Sequence, residues 1–289
     1  MEAAHNLITP IPLTRAHLSQ LAPRPKEAHK GIFGRIAVIG GSVGMSGAAY
    51  LTAKAAYRAG AGIVEIFSPE ENRIIYQVAL PEAVLSLYDA KAPDHSLLVQ
   101  LMERADSVAL GMGLSAGDLC HNLLHTTLAH CQKPLVLDAG ALQQLAQSEE
   151  LLQLLQKRSA PTILTPHVGE AARLLHCSPA TVKQDPIAAA VQLAQSTKSI
   201  VALKDAETIV TDGTVAYCNQ FGNNGMATAG SGDVLAGIIA AFAARNDLLQ
   251  AAALGVLAHA LAGDAAAAQC GTHGTMASDI IDGLRQVLP

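Results

Sequence analysis

The residues best placed to do chemistry lie in one run, Asn223-Asn224-Gly225-Met226-Ala227-Thr228-Ala229-Gly230-Ser231-Gly232-Asp233-Val234-Leu235-Ala236-Gly237, which passes into Ile238-Ile239-Ala240-Ala241-Phe242. Small, flexible residues give way to an unbroken apolar pattern, so the run predicts a loop that opens a helix at about Ser231. A helix N-terminus carries unpaired N–H groups and the positive end of the peptide dipole, which makes it an anion site. Gly230 and Gly232 have no Cβ to keep a bulky anion from the N–H groups of Gly230, Ser231 and Gly232. Asp233 falls in the first turn, where it can accept a proton from a hydroxyl held beside a bound phosphate. The plain alternative is a glycine loop before an ordinary helix, with Asp233 compensating the dipole.

Strands alternating with helices would position this run. After a proline-punctuated leader (Pro10, Pro12, Pro23, Pro25), Arg35 to Ile39 reads as a strand that stops at Gly40-Gly41, followed by a helix over Ser46 to Ala59. Strand Ile63 to Phe67 comes next. Further cycles comprise helix Ser96 to Arg104 with strand Ser107 to Leu110, and helix Asp118 to Cys131 with strand Leu135 to Leu137. Helix Ala141 to Lys157, strand Thr162 to Leu164 and helix Gly169 to His176 follow, then helix Ile187 to Ser196 with strand Ile200 to Leu203. Thr208 to Thr211, Asp212-Gly213 and Thr214 to Tyr217 read as a hairpin, and three helices close the chain. The pattern predicts a mainly parallel sheet covered on both faces, with an antiparallel hairpin at one edge. No linker or repeat divides it, so residues 1–289 are expected to form one domain after a leader of about 30 residues.

Ligands of such sheets bind beyond the carboxyl ends of the strands. Gly40 to Ala49, Gly111-Met112-Gly113, Asp138, Thr165-Pro166-His167 and Lys204-Asp205-Ala206-Glu207-Thr208 all follow strands, so five loops would meet at one edge. The first loop fails the dinucleotide fingerprint, because Ser42 stands where its first glycine belongs, and no Walker pattern is present. The bare backbone at Gly47 suits either tight helix packing or a flat ring laid against it. His167 can orient a substrate or simply hydrogen-bond within its turn. Glu170 suits a helix cap; Asp138 suits a magnesium-linked phosphate or a turn; Lys204 suits a phosphate or solvent.

Half of the residues are hydrophobic but only 3% are aromatic and none is Trp, so the core must be built from Ala, Leu, Val and Ile. A net charge of −5 with scattered Lys and Arg gives no footprint for nucleic acid or an anionic membrane. The five cysteines (Cys120, Cys131, Cys177, Cys218, Cys270) are dispersed, without zinc-like pairing with the eleven histidines. They suggest reduced thiols in a cytoplasm. The stretch Met1 to Ile11 lacks the pattern of a secretory signal. The apolar regions Val234 to Ala244 and Leu248 to Ala268 are interrupted by Arg245, Asn246, Asp247, His259 and Asp264, and read as two buried helices.

From about Gly34 to the C-terminus the chain resembles the ADP-dependent NAD(P)H-hydrate dehydratase family of the ribokinase-like superfamily. The resemblance is carried by Asn224 to Gly237, Gly44-Met45-Ser46-Gly47-Ala48-Ala49, Arg58-Ala59-Gly60-Ala61-Gly62, Leu80-Pro81-Glu82, Gly111-Met112-Gly113 and Thr165-Pro166-His167-Val168-Gly169-Glu170. It implies a three-layer α/β/α fold and a lyase that repairs the S-epimer of hydrated NADH or NADPH. A phosphoryl group from ADP, with Mg2+, would pass to the ring hydroxyl, and AMP and phosphate would be released. Ala48, Gly113, His167 and Asp233 would bind the hydrated dinucleotide, with Asp233 as catalytic base. Lys204, Asp205, Ala206, Glu207, Thr208 and Gly232 would line the adenine nucleotide, and no side chain is assigned to a metal.

The family usually has Gly where this chain has Asp205, and often a second Asp where it has Gly140. The resemblance further implies a homotetramer served by a separate NAD(P)H-hydrate epimerase, since the chain is too short for an N-terminal epimerase domain. Two rivals share the motifs: a vitamin-alcohol kinase, for example of hydroxyethylthiazole, whose product keeps its phosphate, and a non-catalytic adenine-nucleotide sensor. Asp233 argues against the sensor, because binding alone needs no base.

Overall fold

The computed structural model describes residues 8–288; most of the stretch Met1 to Ile11, read above for a secretory signal, lies outside them. Its strands are β1 (Ile11–Pro12), β2 (Arg35–Ile39), β3 (Ile63–Pro69), β4 (Val84–Tyr88), β5 (Ser107–Leu110), β6 (Leu135–Leu137), β7 (Thr162–Leu164), β8 (Ile200–Leu203), β9 (Thr208–Thr211) and β10 (Ala216–Asn219). All ten join one sheet in the order β1-β10-β9-β8-β7-β6-β5-β2-β3-β4. From β8 to β4 every pairing is parallel, whereas β8, β9 and β10 form an antiparallel meander, with β1 parallel to β10 outside it.

Successive side chains of a strand face opposite sides, and the two cores follow that alternation. Ile36, Val38, Val136, Ile163 and Ala202 face a core with helices Ser46–Arg58, Ser231–Ala243, Leu248–Gly274 and Ala277–Val287. Ala37, Ile39, Leu135, Leu137, Leu164, Val201 and Leu203 face the other, packed by helices including His95–Arg104, Asp118–His130 and Pro186–Thr197. With few aromatics, the first core closes by backbone approach instead. A Cβ on Gly237 would overlap the Thr52 carbonyl oxygen, and one on Gly283 would overlap that of Ala262.

Helix Leu248–Gly274 is long and apolar enough to cross a membrane, but 78% of its most apolar window is buried inside the fold, as befits a core helix. A buried Glu65 on the same sheet is held by Arg35 (2.9 Å), Ser86 (2.6 Å) and Arg104. These charges lie among the strands' leading ends and tie β3 to β2 and β4, away from the loops that follow the strands.

Several local expectations need correction. The helix expected over Ala141 to Lys157 is two, Gly140–Gln147 and Glu149–Lys157, because Ser148 is extended and its side chain caps the second by accepting from Leu151 N–H. The hairpin pairs Thr211 with Ala216 rather than turning tightly at Asp212-Gly213. Asp212 Oδ1 accepts from the N–H groups of Thr214 and Val215, so the turn takes residues that were read as strand. Edge strands β1 and β4 and the helices Arg73–Ala79 and Pro179–Gln184 have no counterpart in the sequence reading.

Candidate active site

Helix Ser231–Ala243 begins where its sequence predicts, behind Gly230 at φ 90°. Positive φ favours glycine there, and a Cβ would stand 2.5 Å from Leu51 Cδ1. The first-turn N–H groups of Gly232 and Asp233 have no carbonyl to bond within the helix and face the ligand side. The loop ahead of them is anchored to the long core helix. Asp264 accepts from Gly222 N–H (3.1 Å) and Asn223 Nδ2 (3.0 Å), and Asn223 Oδ1 accepts from Gly225 N–H.

A cavity of 810 Å³ opens in front of this helix terminus. Asp138, His167, Lys204, Asp205, Ala206, Thr208, Gly230, Ser231, Gly232 and Asp233 all line it, so three of the five strand-end loops converge on the helix terminus. Ala48, Gly113 and Glu207 are not among the lining residues. Glu207 turns to Gln220, whose Nε2 donates to it at 3.1 Å. Ala48 and Gly113 instead sit side by side at the ends of helix Ser46–Arg58 and β5, where a Cβ on Gly113 would lie 2.8 Å from that of Ala48. Backbone bonds from Gly41 N–H to Met112 O and from Ser42 N–H to Gly113 O bind the two loops. Above Gly44 and Gly47 nothing lies within 4 Å of a Cβ position, which leaves an open backbone surface. Gly230, which lines the cavity, abuts Leu51 of helix Ser46–Arg58.

The cavity's charges are coupled. Lys204 Nζ donates to Asp138 Oδ1 and Oδ2 at 2.9 and 3.1 Å. The pair crowds Gly232, where a Cβ would meet Lys204 Nζ at 3.3 Å and Asp138 Oδ2 at 3.5 Å. Asp138 is buried at the end of β6, beside Ala139 at φ 48°, an uncommon backbone state for a residue with a side chain. Burial, and then the Asp138 charge, push the Asp233 carboxyl up to about 6, with Lys204 opposing. Asp233 is therefore ionised at neutral pH yet basic enough to take a proton.

His167 caps helix Val168–Leu174. Its Nδ1 accepts from Gly169 N–H (2.9 Å) and Glu170 N–H (3.4 Å), and Glu170 accepts from His167 N–H. That fixes the proton of the neutral ring on Nε2, on a side chain 55% exposed. Desolvation of its inner side, then Lys204 and Arg173, keep the ring below its usual pKa. Asp205 bonds its own turn, with Oδ1 accepting from Ala206 N–H at 2.9 Å. At Gly140 a Cβ would overlap the Leu114 carbonyl oxygen, so this backbone has no room for a second carboxylate.

Asn219 and Phe221, at and just past the end of β10, have no place in the sequence reading, and His259 and Asp264 enter it only as interruptions of an apolar run. Asp264 anchors the loop as described. His259 is buried, its Nε2 is 3.3 Å from Ser231 Oγ, and burial pulls it down to about 4, so it stays neutral. The signal of His259 and Asp264 was position: polar residues five apart in an otherwise apolar, alanine-rich stretch.

A helix N-terminus, a lysine and an apolar lining from Phe221, Met226, Leu235, Val256 and Ala260 suit a nucleotide phosphate and its base. Among the described residues no group of three or more His, Cys, Asp or Glu side chains is arranged to hold a metal ion. Such a donor set fits Mg2+ carried mainly by phosphates and water.

The family model described as NAD(P)H-hydrate dehydratase matches residues 36–286. The chain belongs to this family. The ADP-dependent (S)-NAD(P)H-hydrate dehydratase of Neisseria meningitidis is 38% identical over 245 residues, covering 83% of this chain and 80% of that one. The bifunctional NAD(P)H-hydrate repair enzyme Nnr of Moorella thermoacetica is 40% identical over 283 residues, covering 93% of this chain. The chain spans about half the length of such bifunctional relatives, 52% in this case. Among solved structures, the ADP/ATP-dependent NAD(P)H-hydrate dehydratase of Bacillus subtilis, co-crystallised with ATP/Mg2+, superposes with a TM-score of 0.84 at 27% identity over 98% of both chains. The three-layer, ribokinase-like architecture of the dehydratase family is thus the architecture of this chain.

Proposed function

We propose that this chain restores NADH and NADPH from the S-epimers of their hydrates by an ADP-driven loss of water. The observation that carries the proposal is Asp233, a carboxylate of raised basicity in the first turn of a helix whose N-terminus faces a nucleotide-sized cavity. ADP lies in the cavity, with Lys204, Asp205, Ala206, Thr208 and Gly232 around it and Glu207 behind them. The hydrated ring lies against Ala48 and Gly113, with His167 and Asp233 reaching it from the cavity.

Asp233 takes the proton of the ring hydroxyl, and the hydroxyl oxygen attacks the terminal phosphorus of ADP, so that AMP departs with the bond electrons. The N–H groups of Gly230, Gly232 and Asp233, with Lys204, carry the charge of the transferring phosphoryl group; the N–H of Ser231, expected to join them, is instead taken by the Thr228 carbonyl oxygen at 3.3 Å. Mg2+, bound with the nucleotide, supplies further neutralisation of phosphate charge. Hydroxide leaves poorly but phosphate leaves well. The ring nitrogen pushes phosphate out, and loss of the neighbouring carbon-bound proton restores the dihydropyridine.

The same proposal covers a cytoplasmic setting, supported by five free thiols, and a functional link to an NAD(P)H-hydrate epimerase. It also covers a homotetramer. Exposed Ile74 and Val78, on the helix leading into the free edge strand β4, support a contact between copies there; a mass of one chain by light scattering would remove it.

Purified protein given hydrated NADH, Mg2+ and ADP should regain the near-UV absorbance of NADH and release AMP and phosphate in equal amounts. ADP and ATP are run side by side, with ADP expected to serve better. Phosphorylation of a thiazole or pyrimidine alcohol without any return of NADH would replace this reading with that of a kinase.

A further inference from the structure

Asn219 ends β10 directly opposite Thr208 of β9, and both residues line the cavity. Asn219 is 2% exposed. Its amide has one orientation, because Nδ2 donates to the Phe221 carbonyl oxygen at 3.0 Å, and the flipped amide would set two acceptors against each other. That leaves Oδ1 turned away from Phe221. Among the described residues three buried side-chain polar atoms have no hydrogen-bond partner, Tyr88 Oη, Thr127 Oγ1 and Asn219 Oδ1, and of these residues only Asn219 lines the cavity. A buried acceptor with no donor is unfavourable, so such an atom beside a ligand cavity points to a donor on the ligand.

The ligand must also match the rest of the lining. Phe221, Met226, Leu235, Val256 and Ala260 offer an apolar, ring-sized surface, and Lys204 with the helix terminus offers an anion site. A purine nucleotide satisfies both, and adenine brings a donor to such an acceptor through its 6-amino group, whereas guanine and hypoxanthine carry a carbonyl at C6. We propose that Asn219 is a specificity-determining residue whose Oδ1 accepts a hydrogen bond from the 6-amino group of adenine. The assignment rests on the reading that an adenine nucleotide fills the cavity, and needs nothing of the dehydration step. Hypoxanthine would place its C6 carbonyl against Oδ1, and unsubstituted purine would leave Oδ1 bare.

The test is calorimetric binding of AMP, IMP and purine riboside 5′-monophosphate to the wild-type protein and to Asn219→Leu. Wild type should bind AMP about ten- to a hundredfold more tightly than either analogue, the range set by one unpaired buried polar group. In Asn219→Leu the three should bind within about twofold of one another. Equal binding by wild type, or an AMP preference kept intact in Asn219→Leu, overturns the proposal. If Asn219→Leu does not give a cooperative thermal transition, the wild-type series decides alone. Failure to bind any of the three would overturn this assignment along with the nucleotide reading. Selective AMP binding without return of NADH would sink the dehydratase reading and leave Asn219 in place.

Discussion

Burial and the charge of Asp138 hold the Asp233 carboxyl up at about 6, so its ionisation, and with it the acid limb of the reaction, should lie well above that of an ordinary aspartate. The kcat/KM for hydrated NADH should fall about tenfold per pH unit below about pH 6, and a limb near pH 4 would remove Asp233 as the base. The same shift bears on stability. Between about pH 4 and 6 the folded protein keeps on Asp233 a proton that the unfolded chain has released. This carboxyl's stabilising contribution is therefore complete below pH 4 and lost as pH rises through about 6. At neutral pH the deficit is on the order of 2 kcal/mol. Asp233→Asn should thus lose turnover by roughly 10²- to 10⁴-fold, bind AMP within a few-fold of wild type, and melt at a higher temperature at pH 7. The melting advantage should shrink at pH 4, and an Asn variant less stable than wild type at pH 7 would contradict the sign. The carboxylate's place in a helix's first turn was legible from Gly230-Ser231-Gly232-Asp233. Its tuning was not, because Asp138 and Lys204 stand 95 and 29 residues earlier and meet only through the order of the sheet.

Strands β2, β5, β6, β7, β8 and β9 and the start of helix Ser231–Ala243 lie where the sequence places them, since apolar β-branched runs ending in glycine or a polar residue have few other uses. The unread elements have reasons of their own. β1 is two residues long and includes Pro12, and Ser148 breaks a continuous helical pattern with a cap that only backbone geometry reveals. Glycines sort by what surrounds them. Gly237→Ala would drive a methyl group into the Thr52 carbonyl and should lower stability by about 1–3 kcal/mol in denaturant unfolding. Gly47→Ala enters open space inside a helix, and should raise stability by up to about 1 kcal/mol. If the hydrated ring rests on that bare backbone, Gly47→Ala should also raise KM for the hydrate and leave KM for ADP unchanged. Equal changes in both constants would place the ring elsewhere.

At the scale of the molecule, β8 to β4 deliver their loops to one edge, and the antiparallel turn to β9 and β10 adds the wall that carries Thr208, Asn219 and Phe221. That a wall would rise at the meander was foreseeable in outline; that Glu207 would face away from it was not, because its direction depends on Gln220, just past the end of β10. A nucleotide that binds only the assembled cavity should stabilise the whole fold. AMP at a hundred times its dissociation constant should raise the unfolding free energy by about 2.7 kcal/mol, and an unmoved thermal transition would mean that the cavity does not take it. The two helices that begin at the open surface over Gly44 and Gly47 and at the cavity, Ser46–Arg58 and Ser231–Ala243, meet where Gly237 seats the Thr52 carbonyl. In the proposed reaction they would act as a jig that holds the gap between acceptor oxygen and donor phosphorus from within the core. The Arrhenius plot of the chemical step should accordingly stay straight until the jig itself melts.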